Sequence, residues 1–124
     1  MGFGAWGIGK TMWKGAEDKT SLKALHAAID LGVNFIDTAL VYGNGHSEEL
    51  IGKVLEERSE RIYVATKIPP KNYRWPAAGT LSESFPEDHI VRCVERSLRH
   101  LRVERLDLIQ LHVWNPDWLE EDEW

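Results

Sequence analysis

Residues 33–57 read VNFIDTALVYGNGHSEELIGKVLEE, and this stretch decides the fold. Val33-Asn34-Phe35-Ile36-Asp37 is short, apolar and partly β-branched, and Gly43, Asn44 and Gly45 mark a loop beyond it, so a buried strand ending at Asp37 is expected. Ser47 is placed to cap the helix that follows, because its hydroxyl can accept an orphan amide proton, while Glu48 and Glu49 suit the positive end of the helix dipole. Leu50, Ile51, Val54 and Leu55 then recur at the spacing of one buried helical face. A strand that feeds a helix in this way is one unit of a parallel sheet.

The unit repeats on both sides. Upstream, Leu22, Leu25, Ile29 and His26 share one face of a predicted helix over 19–31 that Gly32 would end. Downstream, Ile62 to Thr66 is a second apolar run with Lys67 at its end, and residues 68–85 form a long loop rich in Pro, Gly and Ser, which points to function. Ser84 and Pro86 prepare another helix start, and Ile90, Val91, Val94, Leu98 and Leu101 follow at helical spacing. Leu106 to Leu111 is the third clear strand, ending at His112, and Asn115-Pro116-Asp117-Trp118 opens a further helix. Strands and helices alternate throughout, so the class is α/β with parallel strands. The nearly continuous apolar strands predict burial on both faces.

Composition narrows the partners. Twenty acidic against fifteen basic residues give the 124-residue chain a net charge of −5, which leaves no electrostatic footprint for nucleic acid or an acidic membrane surface. No stretch approaches the roughly 18 apolar residues of a membrane span, and the N-terminus lacks the pattern of a signal peptide. Cys93 is the only cysteine, so no intramolecular disulfide can form, and a reducing, cytoplasmic setting is expected.

Three consecutive strands finish on an ionisable residue: Asp37, Lys67 and His112. Parallel packing brings these ends together, at the end of the sheet where parallel barrels carry their active sites. Tyr42 lies five residues beyond Asp37, close enough for its phenol to fold back over the strand end. Singly, each residue reads more simply as a surface charge or a structural histidine; jointly, they form a convergent cluster. A free phenol with pKa of about 10 is a reluctant acid near neutrality, and a nearby ammonium stabilises its phenolate. Lys67 could do this for Tyr42, Asp37 could keep Lys67 charged and oriented, and His112 could bond a substrate oxygen.

Asn34-Phe35-Ile36-Asp37-Thr38-Ala39, then Tyr42-Gly43-Asn44-Gly45, Ser47-Glu48 and Asp107-Leu108-Ile109-Gln110-Leu111-His112 resemble the signature segments of aldo-keto reductases. The resemblance implies a (β/α)8 barrel of TIM type, of which residues 1–124 are a partial domain with the first four or so strand-helix units. It implies NADPH bound without a Rossmann domain and hydride transfer to an aldehyde or ketone, the small-molecule carbonyl substrate. In that scheme Tyr42 is the general acid, Lys67 lowers its pKa, Asp37 braces Lys67, and His112 orients the carbonyl. Ala5, Trp6 and Asp37 would lie near the cofactor, and Trp6, Trp114 and His112 near the substrate. Barrels resembling this family also serve as non-catalytic, cofactor-binding regulatory subunits of channels; the intact four-residue set favours the enzyme.

Two patterns near the N-terminus compete with this reading. Gly4 to Thr11 satisfies the phosphate-loop pattern G-x-x-x-x-G-K-T, and Gly2, Gly4 and Gly7 satisfy G-x-G-x-x-G. Both need a strand entering and a helix leaving the loop, yet only three residues precede Gly4 and Gly15 interrupts the stretch where that helix would propagate. His26, His46, His89 and His100 show no metal-ligand spacing with Cys93 or each other, so no metal is expected. Cys93 reads as a core or boundary residue with no general base. Glu120 to Glu123 reads as a solvated turn.

A complete barrel needs about 250 residues. The chain is therefore expected to be about half of one, weakly active or inactive alone, and prone to self-association through the open half barrel.

Overall fold

The computed structural model describes residues 1–10 and 16–121. Four strands, β1 (Gly2–Gly4), β2 (Phe35–Asp37), β3 (Tyr63–Ile68) and β4 (Leu108–Leu111), pair in parallel in sequence order. Helices α1 (Asp18–Asp30), α2 (His46–Glu57), α3 (Leu81–Ser84) and α4 (Glu87–Leu101) lie in the connections, and Trp6–Gly9 and Pro116–Glu120 are short 3-10 helices. Gly4 faces Asp37, Asp37 faces Ala65, and Ala65 faces Leu108 across the sheet, so the strands end together on one side. This sequential parallel order with helical crossovers is the first half of a (β/α)8 barrel.

The main core lies between sheet and helices. Leu25 and Ile29 of α1 and Leu50, Ile51 and Val54 of α2 pack with Ile36, Val64 and Leu101. A second cluster joins Leu40, Ile68, Phe85, Cys93 and Trp118. Trp118 is fully buried and its indole N–H donates to the Gly79 carbonyl at 2.9 Å, which satisfies the one polar group such a ring brings into a core. Asn115 accepts from the Asp117 amide, so the turn predicted there forms, as 3-10 helix.

Several expectations are corrected in detail. The residue at the N-cap of α2 is Gly45, in the left-handed conformation, and Ser47 lies one residue inside the helix. Its hydroxyl donates instead to the Ala5 carbonyl at 3.0 Å. Ser84 ends α3, which Thr80 and Glu83 open with reciprocal capping bonds, and Pro86 is the N-cap residue of α4. Lys67 lies within β3, one residue before its end. Burial on both faces fails along β2, β3 and β4: Phe35, Tyr63, Leu108 and Ile109 are 37%, 44%, 45% and 38% exposed. Among the described residues no further layer covers this face of the sheet or the far flank of β4. No helix among the described residues is long and apolar enough to cross a membrane.

Helices α2 and α4 approach at Gly52. A Cβ there would fall on the His100 carbonyl oxygen and lie 3.0 Å from the Leu101 carbonyl carbon. Gly52→Ala should gain about 1 kcal/mol of helix propensity but lose about 1–3 kcal/mol to backbone overpacking. The expected result is a lower urea midpoint of unfolding; a raised midpoint would show that the two helices separate without cost.

Candidate active site

The strand ends are tied together before any catalytic question arises. Ala5 donates its N–H to the Asp37 carbonyl at 2.8 Å, and its own carbonyl accepts from Ser47. Because the Ser47 proton is used there, the 2.9 Å contact between Thr38 Oγ1 and Ser47 Oγ has Thr38 as donor. Glu48, with no exposed surface, accepts from Thr66 Oγ1 at 2.6 Å and faces His100 Nδ1 at 3.0 Å. The first turn of α2 thus bonds to the ends of β1, β2 and β3 and to α4. Sequence reasoning assigned Glu48 only to the helix dipole and left Thr38, Thr66 and His100 without roles; an acidic residue beside apolar helix positions was the available signal.

Within this frame, Lys67 Nζ donates at 2.8 Å to each oxygen of Asp37 and at 2.7 Å to the Thr38 carbonyl. An ammonium has three protons, and these partners engage all of them. The ammonium also lies 5.6 Å from the centre of the Tyr42 ring, within the range of a cation–π attraction. Tyr42 in turn meets His112 edge to face, with ring centres 5.7 Å apart. The structure therefore brings together all four of Asp37, Tyr42, Lys67 and His112.

The turn that carries Tyr42 is shaped by the first loop. A Cβ on Gly9 would lie 2.7 Å from the Tyr42 carbonyl carbon and 2.9 Å from the Gly43 nitrogen, so a glycine is needed where the two backbones cross. This accounts for one glycine of the phosphate-loop pattern. Lys10, the lysine of that pattern, pairs with Asp18 at 2.7 Å, and Trp6–Gly9 is a 3-10 helix. Thr11 and Gly15 lie outside the described residues.

Electrostatics bear on one assigned role. Burial, and then the charge of Asp37, push the Tyr42 phenol above its usual pKa; the sequence reading expected Lys67 to lower it. The cause is local: Asp37 neutralises the ammonium and, with Thr38, occupies its donors, so none reaches the phenol oxygen. His112 is held below its usual pKa, chiefly by burial and also by Lys67, with Asp37 opposing, so the neutral ring is favoured at neutral pH. Its Nδ1 is buried with no hydrogen-bond partner among the described residues, and an orphaned polar atom of this kind costs about 1–3 kcal/mol.

The remaining candidates divide. Trp6 is 47% exposed just beyond β1. Trp114 is 48% exposed and lies edge to face with Trp118, ring centres 5.7 Å apart. Ala5 is fully buried, and both its backbone polar groups serve the fold. Trp75 was missed: its ring meets the His112 ring at 4.8 Å, nearly perpendicular, and the only sequence signal was its place in the long loop after β3. Cys93 does have a neighbour that the sequence reading overlooked, since His89 lies one helical turn earlier with Nε2 at 3.6 Å. Among the described residues no group of three His, Cys, Asp or Glu side chains could hold a metal ion.

Comparison with known proteins agrees with this arrangement. The model of the Aldo/keto reductase family matches residues 1–124. The chain is 40% identical over 120 residues to the aldo-keto reductase YhdN of Bacillus subtilis, covering 94% of this chain and 34% of that protein. The glycerol dehydrogenase of Gluconobacter oxydans superposes with a TM-score of 0.72 at 38% identity, over 94% of this chain and 36% of its own. An aldo-keto reductase from Klebsiella pneumoniae, solved in complex with NADPH, gives a TM-score of 0.70 at 29% identity, over 96% and 38%. The chain thus spans about a third of the length of these relatives. Its fold and its match along the whole sequence agree: this chain belongs to the aldo/keto reductase family.

Proposed function

We propose that this chain forms the proton-donating half of an NADPH-dependent carbonyl reductase that converts an aldehyde or ketone to an alcohol. The observation that carries the proposal is the Tyr42 ring, set between the Lys67 ammonium and the His112 ring at the ends of three parallel strands. Tyr42 gives its phenolic proton to the carbonyl oxygen as negative charge develops there. Neutral His112, donating through a ring N–H, orients that oxygen. Lys67 supports the developing phenolate; for direct contact it must release one of its bonds to Asp37 or Thr38.

NADPH, when bound, supplies the hydride. The residues present fit such a group: Trp6 is half exposed beside the strand ends, and Asp37, with 42% of its side chain exposed, borders the same cluster. The Klebsiella relative solved with NADPH supports the choice of cofactor. Trp75 and Trp114 border the carbonyl side. The buried, free Cys93 accords with a reducing cytoplasm.

The test requires a closed barrel, made by joining this chain to the remaining strands of the Bacillus relative. With a small aldehyde present, Tyr42→Phe should lower the rate of NADPH oxidation about 10²–10⁴-fold while leaving NADPH affinity nearly unchanged. Undiminished turnover would instead favour a cofactor-binding regulatory role.

The His112 ring protons should titrate by NMR with a midpoint below 6.5, the ordinary value, and Lys67→Met should move that midpoint up, since it removes a repelling charge. A midpoint above 6.5 before substitution would contradict a neutral, desolvated donor. Light scattering on the 124-residue chain alone should report species heavier than 14.2 kDa, because the exposed Phe35, Tyr63 and Leu108 surface is satisfied by a further set of strands. A monodisperse monomer would refute self-association through that face.

A further inference from the structure

Outside the strand-end cluster, a cleft of about 310 Å³ opens between α4 and the loops that follow β2 and β3. None of Asp37, Tyr42, Lys67 or His112 lines it. Its volume is at the lower end of small-molecule pockets, which run from about 300 to 1,000 Å³. Its lining combines cations, Arg92 and Arg96 from α4 and Lys71 from the loop after β3, with apolar groups, Leu40, Pro69 and the ring of Tyr73. A neighbouring hollow of about 140 Å³ shares Leu40, Pro69, Tyr73 and Arg96, so the apolar lining continues beyond the first cleft. Three cations around one concavity stand out in a chain of net charge −5.

The acidic neighbours offset part of this charge, since Asp88, which pairs with Arg92, also interacts with Lys71, and Arg96 is the cation of the cleft left with a neutral partner. Asp88 pairs with Arg92 at 2.7 Å, and Glu95 faces Arg99 at 3.9 Å. Arg96 donates to the Asn44 side-chain oxygen at 3.1 Å, a neutral partner that leaves its charge uncompensated. At the floor, burial raises the Cys93 thiol pKa, Arg96 and Arg92 oppose that rise, and the charge of Glu48 adds to it.

The walls are also preformed. Lys71 donates its N–H to the Ser84 carbonyl at 2.7 Å, and Tyr73 donates its own to Pro70 at 3.0 Å. Asn72 braces the same loop by accepting from the Arg74 amide at 3.0 Å and donating to the Ala78 carbonyl at 3.1 Å. Tyr73 is held at φ 51°, a left-handed conformation that a bulky residue adopts only where its surroundings fix it. On the helix side, His89 Nε2 lies 2.8 Å from the Pro69 carbonyl, which can only accept, so that nitrogen carries the proton.

We propose that this cleft is a second ligand site, for a small phosphomonoester with an apolar or aromatic body. Guanidinium forks match phosphate oxygens in geometry as well as charge, and Lys71 adds a point charge from the loop after β3. The ring of Tyr73, with Leu40 and Pro69, receives the body. Inorganic phosphate shares the charged half of this chemistry and lacks the other, so affinity separates the two.

Phenyl phosphate is the probe, titrated calorimetrically into the 124-residue chain, with inorganic phosphate and phenol as comparisons. Phenyl phosphate should bind saturably and more tightly than either, with an affinity that falls as salt is raised. Lys71→Gln and Arg96→Gln should each weaken it roughly fivefold to tenfold. Lys71 is exposed and its substitution does not threaten the fold, so it keeps the test valid if Arg96→Gln perturbs its surroundings. Tyr42→Phe should bind phenyl phosphate as the unaltered chain does, which separates this site from the proposed catalytic one. Equal affinity for inorganic phosphate, binding indifferent to Lys71 and Arg96, or loss of binding in Tyr42→Phe would each overturn the proposal.

Discussion

The three hydrogen bonds of the Lys67 ammonium, two to Asp37 and one to the Thr38 carbonyl, are the contact on which the site depends. They join the end of β2 to the end of β3 at the point where the two strands stop. With an exposure of 16% for the Lys67 side chain, the charge is partly withdrawn from water, and an ion pair left without its partner in such surroundings is costly. Asp37 is therefore needed to hold Lys67 where it is. The same pairing limits what Lys67 can do for Tyr42, because a neutralised and fully engaged ammonium does little to acidify a phenol 5.6 Å away measured to the ring centre. The resting geometry holds the lysine in place, and in the proposed reaction it reaches the phenol only when one of these bonds is exchanged.

Around that contact the fold supplies positions, and it does so through buried polar bonds as much as through apolar packing. Ser47 and Glu48, adjacent in the first turn of α2, reach the Ala5 carbonyl, the Thr38 hydroxyl, the Thr66 hydroxyl and His100. Each of these groups is satisfied, which is the condition under which a buried network fixes geometry. The glycines at 9 and 52 act in the complementary way: each removes a side chain where backbones must cross, one at the Tyr42 turn and one between α2 and α4.

Much of this was legible in the sequence, for a physical reason. Apolar runs that end on Asp37, Lys67 and His112 declare both the strands and the side on which they stop, because strand direction and helical crossover leave a parallel sheet few choices. The helix faces of Leu25 and Ile29, and of Leu50, Ile51 and Val54, were read from spacing and form the core. What spacing could not show was the partner of each polar group. Ser47 looked like a cap because caps are chosen by residue type, whereas Gly45 in the left-handed conformation takes the cap position and frees Ser47 for a tertiary bond. Trp75 was hidden for a similar reason: a residue in a long loop has no periodicity to place it, and its contact with His112 is set by the path of the loop. The rise of Tyr42 comes first from burial and then from the charge of Asp37, and neither can be read from spacing along the chain.

The central claim is that Asp37 and Lys67 act on Tyr42 as one unit. The direct measurement is a double-mutant cycle on single-turnover carbonyl reduction in a closed barrel carrying this half, comparing Asp37→Asn, Lys67→Met and the pair. The account predicts strong non-additivity, the double variant losing little more than Lys67→Met alone, because removing either partner already dismantles the unit. Losses that simply add in free energy would show that the two residues act separately, and would contradict the account.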